Sequence, residues 1–190
     1  MSTFLRPAMT LFIVLSLITG LAYPLATTGL ARLAFPQQAA GSLVLQEGKL
    51  VGSSLIGQSF TGPTYFWGRP SATSPAPYNA SLSGGSNLGP LNPALVEAVE
   101  SRVQALRAAH PGNAAPIPAD LVTTSASGLD PHISLAAARY QAGRVAQARH
   151  WPLDRVDTLI AQQSEKAWLG ILGEPRVNVL ALNLALDAAP

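Results

Sequence analysis

The longest uninterrupted apolar stretch of the chain lies near its amino terminus. From Pro7 to Ala31 the sequence contains no charged side chain. An α-helix needs about 20 residues to cross a hydrocarbon layer about 30 Å thick, and this stretch supplies them. Its serine and threonine hydroxyls can bond to carbonyls of the preceding turn, so they are compatible with such a helix. The pattern therefore predicts a transmembrane helix over residues 7–31, after a short segment at residues 1–6.

The charges that flank this stretch predict its orientation. Arg6 and the terminal amine precede it, and Arg32 follows it. This balance favours a cytoplasmic amino terminus and places the remaining chain on the opposite side of the membrane. The alternative is a cleaved signal peptide. Because the stretch is long for such a peptide and Leu25–Ala26 is a poor cleavage site, we expect a retained anchor.

Beyond a linker at residues 32–40, the hydrophobic pattern predicts one α+β domain over residues 41–190. Leu43–Leu45 and Lys49–Val51 flank a turn that contains Gly48, which is the pattern of a β-hairpin. The domain would combine a small sheet with about four helices, and it would follow the single transmembrane helix.

Residues 57–93 have a composition that is usual for disordered chain, being rich in Gly, Pro, Ser and Asn. They also contain five aromatic residues, which disordered segments rarely have. Arg69 is the only charged residue between Ser53 and Val96. We therefore predict an ordered, irregular loop with a surface that is buried or faces a partner.

Three- and four-residue spacing of apolar side chains predicts the helices that follow. Asn92 would cap the first of them, Pro93 would begin it, and His110–Gly112 would end it. Its apolar stripe consists of Leu95, Val99, Val103 and Leu106.

A second irregular segment, residues 116–133, precedes another predicted helix from Leu135 to His150, capped by Ser134 or Asp130. The remaining predicted elements are a helix over Pro152–Gln163 with a buried stripe at Leu153, Val156, Leu159 and Ile160, a strand over Arg176–Leu180, and a closing helix over Leu182–Asp187.

Charge and composition narrow the possible partners. Charged residues make up 12% of the chain, against roughly 25% in an average soluble domain, which favours a surface covered by lipid or by partner proteins. The net charge is only +2 and no basic cluster occurs, so we expect no nucleic-acid partner. Cysteine is absent, which excludes disulfides and thiolate sites.

Several long motifs in the irregular segments resemble the KdpC family, the accessory subunits of Kdp-type potassium-transporting ATPases. The resemblance covers nearly the whole chain, including the single amino-terminal span. It is carried by Tyr65–Ala72, Tyr78–Asn79, Ser83–Pro90, Asp120–Ile133 and Gly173–Leu180. One departure is Leu135, where the family would have proline.

The resemblance implies a non-catalytic accessory subunit of an ATP-driven potassium uptake complex in the inner membrane, with its main domain in the periplasm. The implied partners are a channel-like potassium-binding subunit, a P-type ATPase subunit that hydrolyses ATP, a small single-span subunit and membrane lipid. The family is also described as a catalytic chaperone that raises the ATP affinity of the hydrolysing subunit. Potassium is then the transported ion. No tightly bound cofactor is expected, and ATP would be met only at a site shared with the ATPase subunit.

The glycine-rich loop Ser83-Gly84-Gly85-Ser86-Asn87 is a candidate nucleotide contact, because backbone N–H groups of such loops can bind phosphate. It lacks the lysine and the spacing of a P-loop. The alternative is a turn that needs positive φ at Gly84 or Gly85, or a contact with the channel-like subunit. A periplasmic domain would meet little ATP, so the turn is the favoured interpretation.

Tyr65, Phe66, Trp67 and Arg69 have the profile of an interface anchor, since aromatic residues and arginine dominate binding hot spots. Arg69 would meet a carboxylate or several carbonyls. The alternative is an internal core cluster with a structural arginine, because sequence alone does not separate burial inside a chain from burial between chains.

Asp120 and Asp130 are candidates for a cation vestibule, since hard cations prefer oxygen ligands. The alternative for Asp130 is a helix cap. We expect no catalytic residues, because no serine has an evident base oriented by a third group. The three histidines lack metal-ligand spacing, so no metal site is expected.

Overall fold

A computed structural model describes residues 2–189 of the chain. The chain divides into two compact units, Met1–Leu50 and Val51–Pro190. The first unit contains the apolar amino-terminal segment, and the second contains the helices and strands of an α+β domain. The predicted fold class is therefore confirmed.

The amino-terminal helix consists of α1 (Ser2–Leu17), a wider π-helical turn at Ile18–Ala22, and α2 (Tyr23–Ala34). The wider turn ends two residues before Pro24, which has no N–H and whose ring crowds the carbonyl of Gly20, four residues earlier and inside the turn. The stretch Thr3–Ala34 is 32 residues long and apolar enough to cross a membrane, and its side chains are exposed except for the half-buried Ala31. At ~1.5 Å per residue it spans about 48 Å.

Hydroxyls in this helix bond to its own backbone, as the sequence predicts. Thr19 Oγ1 donates to the Leu15 carbonyl (2.7 Å) and Thr27 Oγ1 donates to the Tyr23 carbonyl (2.9 Å). These bonds satisfy polar groups that lipid would leave unpaired.

A short helix, α3 (Pro36–Ala39), is followed by β1 (Leu43–Gln46) and β2 (Lys49–Ser53), which form a two-stranded sheet. The turn between the strands has positive φ at Glu47 (51°) and Gly48 (78°), which a hairpin turn requires. The predicted hairpin is confirmed.

In the second unit, a three-stranded antiparallel sheet packs with helices. Its strand order is β3-β5-β4, and β5 is central, with Val177 opposite both Ile133 and Ser164. The elements are α4 (Pro93–Ala109), β3 (His132–Ser134), α5 (Leu135–Arg149), α6 (Leu153–Gln162), β4 (Ser164–Glu165), β5 (Arg176–Asn178) and α7 (Val179–Ala188).

Capping side chains determine where three of these helices begin. Asn92 accepts from the Ala94 N–H at α4, as predicted, and Asn178 accepts from the Ala181 N–H at α7. The last predicted strand therefore ends at Asn178 rather than Leu180, since the cap starts a helix there. At α5 the cap is Ser134, while Asp130 is separated from the helix by β3.

The core lies where α5, α6, α7 and the sheet meet. Four of the six alanines on α5 are completely or almost completely buried and let neighbouring elements approach closely, namely Ala137, Ala138, Ala142 and Ala146. The largest fully buried apolar side chains are Phe66, Ile133, Val145, Val156, Ile160, Val177, Leu182 and Leu186. On α6, Val156 and Ile160 are buried as predicted, but Leu153 is 48% exposed. Its prediction as a buried residue is wrong, because it lies in the first turn of the helix, at the end of the stripe.

Candidate functional site

Two irregular segments, residues 57–90 and 119–131, lie against each other and form one surface, which we call the paired-loop surface. The hydrogen bonds that join the segments include those from Gly57 N to Leu129 O (2.9 Å), from Gly84 N to Ser127 O (2.9 Å) and from Ser71 Oγ to Gly128 O (2.7 Å). The structure thus brings together most of the motif residues singled out from the sequence.

The aromatic segment is held by two buried carboxamides. Asn183 Oδ1 accepts from the Phe66 N–H (2.8 Å), and its Nδ2 donates to the Phe66 carbonyl (3.0 Å). Gln141 pairs in the same way with the N–H (2.8 Å) and carbonyl (3.1 Å) of Trp67. Phe66 is completely buried within this chain, whereas Tyr65 and Trp67 are half-buried. The amides replace the strand partner that this irregular backbone lacks.

Arg144 of α5 is the centre of a further network beneath this segment. Its side chain donates to the Tyr65 carbonyl (3.0 Å), the Gly62 carbonyl (3.3 Å) and Gln141 Oε1 (2.9 Å). The guanidinium carbon also lies 4.3 Å from the centre of the Trp67 ring. Burial lowers the pKa of Arg144 to about 10, which leaves it charged at neutral pH. One buried cation therefore orients several backbone carbonyls.

His110, at the end of α4, is joined to this network. Its Nδ1 lies 2.7 Å from the Leu106 carbonyl, and its Nε2 lies 3.1 Å from Arg144 Nε. Because arginine only donates, Nε2 must accept and the proton of the neutral ring lies on Nδ1. Burial lowers the pKa of His110, the hydrogen bond to Leu106 opposes this shift, and the charge of Arg144 adds to it. The ring is therefore held in its neutral form.

Three side chains that are not among the predicted site residues hold the aromatic segment, namely Gln141, Arg144 and Asn183. For Asn183 a signal was present, since it interrupts the apolar run Leu182-Asn183-Leu184 in the predicted closing helix. A polar residue in such a position is buried only when it has hydrogen-bond partners. Gln141 and Arg144 gave no comparable signal, because α5 also carries exposed polar residues.

Arg69 contacts a carboxylate, which is one of the two alternatives predicted for it, and it also contacts one carbonyl. Its guanidinium donates to Asp130 Oδ2 (3.1 Å) and to the Thr124 carbonyl (3.3 Å). Burial alone would raise the pKa of Asp130, but hydrogen bonds from His132 and the nearby Arg69 outweigh it and lower that pKa to about 2. This ion pair links the two irregular segments.

Both carboxylates of the predicted cation vestibule accept hydrogen bonds from the protein. Asp120 accepts from Ser134 N–H (2.7 Å) and from Ser134 Oγ (3.2 Å). The same Ser134 hydroxyl accepts from Ala137 N–H (3.0 Å) and so caps α5. Asp130 is paired with Arg69, as described above. These contacts attach the second irregular segment to β3 and α5.

The glycine-rich loop is fastened to the second segment. Ser83 Oγ donates to the Ser127 carbonyl (3.0 Å), which also accepts from the Gly84 N–H (2.9 Å). A Cβ at Gly85 would lie 2.9 Å from the Ala126 carbonyl oxygen, so no larger residue fits without a shift. The Gly84 N–H and the Ser83 hydroxyl, two donors that a phosphate would use, are thus engaged within the chain.

The expected positive φ at Gly84 or Gly85 is wrong. The left-handed residue of this loop is Asn87, with φ of 52°, and asparagine tolerates this conformation better than most residues. Gly85 is required by the close approach of the neighbouring backbone instead, whereas Gly84 has open space around its Cβ position. The Thr124 hydroxyl lies 3.4 Å from that of Ser86, which adds to the contact between the segments.

His132 lies between two carboxylates. Its Nδ1 is 3.4 Å from Asp130 Oδ1, and its Nε2 is 3.8 Å from Glu165 Oε1. The nitrogen that would have to activate a serine therefore faces a carboxylate. Within residues 2–189, no group of three histidine, aspartate or glutamate side chains could hold a metal ion. The arrangement is that of a structural polar network between β3, β4 and the second irregular segment.

A cavity of about 420 Å³ opens on the paired-loop surface. Aromatic rings and two arginines line it, and its lining includes Phe60, Trp67, Arg69, Tyr78, Arg102 and Leu121. The Tyr78 hydroxyl donates to the Arg69 carbonyl (2.6 Å), and burial raises the pKa of Tyr78 to about 12. The Tyr78 phenol in the wall therefore stays protonated at neutral pH and is bonded to the Arg69 carbonyl.

The chain is similar to known proteins over nearly its whole length. Residues 5–188 match the family model described as "KdpC: K+-transporting ATPase, c chain". The chain is 70% identical over 188 residues to the potassium-transporting ATPase KdpC subunit of Polaromonas naphthalenivorans (strain CJ2), which covers 99% of this chain and 96% of that protein. The protein of the same name from Variovorax paradoxus (strain S110) is 67% identical over 189 residues, covering 100% and 98%. That of Dechloromonas aromatica (strain RCB) is 62% identical over 188 residues, covering 99% and 98%.

Proposed function

The chain belongs to the KdpC family of K⁺-transporting ATPase subunits, and we propose that it is the non-catalytic, membrane-anchored member of a potassium uptake complex. The observation that carries this proposal is the match over residues 5–188, which includes both the apolar helix and the α+β domain. Its partners would be a channel-like potassium-binding subunit, a P-type ATPase subunit with the hydrolytic site, and a small single-span subunit.

The amino-terminal helix would anchor the chain as a single transmembrane span. The stretch is 32 residues long and apolar enough to cross a membrane, and its exposed apolar side chains favour burial in the hydrocarbon of a bilayer. The flanking Arg6 and Arg32 favour a cytoplasmic amino terminus and a periplasmic domain. Small residues such as Gly20 and the hydroxyls of the helix would allow close packing with the spans of the other subunits.

The paired-loop surface would be the docking site for the channel-like subunit. Its backbone is fixed by Gln141, Asn183 and Arg144, so little conformational entropy would be lost on binding. The exposed parts of Tyr65, Trp67 and the neighbouring cavity supply aromatic contacts of the kind found in binding hot spots.

An effect on ATP affinity would follow from assembly rather than from contact with the nucleotide. If docking favours one conformation of the complex, the affinity of the ATPase subunit for ATP changes. The corresponding coupling free energy is typically about 1–3 kcal/mol. This account needs no phosphate contact by Ser83–Asn87. It also needs no cation at Asp120 or Asp130, whose oxygens accept hydrogen bonds from the protein.

Assembly is tested by deleting the gene for this chain from its host and purifying the complex through a tag on the ATPase subunit. We expect loss of growth on low potassium and loss of potassium-stimulated ATP hydrolysis, both restored by the wild-type chain. Restoration by a chain that lacks residues 2–34 would contradict the anchored role. A complex that keeps full potassium-stimulated activity without the chain would contradict the accessory role altogether.

Orientation is tested with a single cysteine, since the native chain has none. Ser86 is exposed, so Ser86→Cys should react with a membrane-impermeant maleimide added to intact cells. Ser2→Cys, at the opposite side of the span, should react only after lysis. The reverse result would put the domain in the cytoplasm and would favour the alternative in which Ser83–Asn87 contacts ATP.

A further inference from the structure

The turn at residues 167–173, between β4 and β5, presents a group of uncovered apolar side chains. Their exposed fractions are 68% for Trp168, 73% for Leu169, 80% for Ile171 and 53% for Leu172. No charged residue lies between Lys166 and Glu174. We call this segment the apolar turn. Such a group of large apolar side chains on one exposed turn marks an interaction surface.

The backbone of the apolar turn makes four hydrogen bonds within the turn. Trp168 and Leu172 exchange two hydrogen bonds (2.8 and 2.9 Å), and the Ile171 N–H donates to the Trp168 carbonyl (3.2 Å). The Gly170 N–H donates to the Ala167 carbonyl (3.0 Å). Positive φ at Leu169 (53°) and Gly170 (75°) closes the turn in the manner of a type I′ hairpin. These internal bonds reduce the number of backbone groups that need another partner at the boundary between headgroups and acyl chains, where water still reaches the remaining carbonyls.

The charges next to the apolar turn lie on the strands behind it. Arg176 Nε on β5 donates to Glu165 Oε2 on β4 (2.9 Å), and Lys166 follows directly. Side chains from 167 to 173 offer only one polar group, the indole N–H of Trp168. The turn thus has an apolar tip with a tryptophan, and charged residues lie on the strands behind it. The polarity of a bilayer changes in the same order, from the apolar acyl chains to the polar headgroups, and tryptophan is enriched at this boundary. A protein groove would normally be met by several specific hydrogen bonds.

We propose that the apolar turn inserts its side chains into the boundary between headgroups and acyl chains of the lipid bilayer. This inference rests on the proposed anchoring, because a span in the same chain keeps the domain beside the membrane at high effective concentration. The turn would be a second, reversible membrane contact of the domain. It would limit the orientations that the domain adopts and so favour docking on the membrane-embedded subunits.

The experiment uses the full chain in vesicles of phosphatidylethanolamine and phosphatidylglycerol. Ile171→Cys is labelled with the environment-sensitive fluorophore NBD, and Ser101→Cys, an exposed position on α4, is labelled as the matched control. A fraction of the lipid in both leaflets carries a nitroxide on its acyl chain. We expect a blue-shifted emission that the nitroxide quenches at residue 171, and neither effect at residue 101.

Flotation of the same vesicles measures the anchoring independently. A chain that floats with the vesicles but shows equal quenching at both positions, or none at residue 171, overturns the lipid contact and leaves the anchored role intact. Shielding of residue 171 that occurs only when the other subunits are present, without quenching by lipid nitroxide, also overturns it in favour of a protein groove. A chain that does not float overturns both proposals.

Discussion

Two irregular, aromatic-containing segments of this molecule have opposite surroundings. Tyr65–Trp67 lies against α5 and α7, which supply Gln141, Arg144 and Asn183 to its backbone. The apolar turn at residues 167–173 bonds to itself and leaves its side chains uncovered. Both segments are apolar and have glycine or proline nearby.

The difference shows that composition does not decide whether an aromatic segment is core or contact surface. What decides it is whether another element brings hydrogen-bond partners for the backbone, because an unpaired buried N–H or C=O is costly. Phe66 can be buried since Asn183 pairs with both of its backbone groups. The hydrogen bonds of the apolar turn are made within the turn, and its large apolar side chains stay exposed.

Among variants of the candidate site, the largest expected effect comes from Arg144→Met, which keeps much of the volume of the side chain but removes every donor. The Tyr65 and Gly62 carbonyls and His110 Nε2 lose a charged partner, so we expect a loss of about 3 kcal/mol in the free energy of unfolding. Denaturant unfolding of the full chain in detergent, followed by tryptophan fluorescence, measures it. Arg139→Met, an exposed change on the same helix, is the control, and an equal loss there would contradict the role of Arg144.

A smaller loss, about 2 kcal/mol, is expected for Gln141→Leu, since the N–H and carbonyl of Trp67 are then left without their amide partner. Gln147→Leu on the exposed face of the same helix should change the free energy of unfolding by less than about 0.5 kcal/mol. Hydrogen exchange of the Trp67 amide gives a local measurement. Unchanged protection of that amide in Gln141→Leu would show that the carboxamide does not hold the segment.

The pH dependence of stability tests the neutral state of His110. Since burial lowers its pKa in the folded state, the unfolded chain binds more protons, and stability falls as pH drops below the unfolded value of about 6.5. The free energy of unfolding of the wild type should therefore be lower at about pH 5.5 than at about pH 7.5, two values on either side of that pKa. His110→Gln should reduce this difference, and an unchanged difference would assign it to other groups.

The smallest effect on stability is expected for Ile171→Ser in the apolar turn. Its side chain is 80% exposed, so the free energy of unfolding should change by less than about 0.5 kcal/mol. The matched core variant Ile160→Ser, at a position 2% exposed, should lose several kcal/mol, at least about 3. A large loss for Ile171→Ser would mean that the turn is part of the core and would remove the contrast between the two segments.

Much of the local structure could be predicted from the sequence. The apolar helix, the hairpin around Gly48, the α4 cap at Asn92 and the α+β class all follow from short-range rules. The errors are also local, as at Asn178, where a cap converts the end of a predicted strand into a helix. Of the candidate site, the contact of Arg69 with a carboxylate was predictable, because a lone charge in an uncharged stretch needs such a partner.

The sequence by itself determined that this chain has an apolar span and an irregular, aromatic segment that must be ordered, since both depend on neighbours along the chain. Tertiary structure alone decided that Phe66 is core, that Gln141, Arg144 and Asn183 hold it, and that residues 168–172 stay uncovered. These partners are 74 residues apart for Trp67 and Gln141 and 117 apart for Phe66 and Asn183. Burial and pairing over such distances depend on how the elements pack, and no short-range pattern records that.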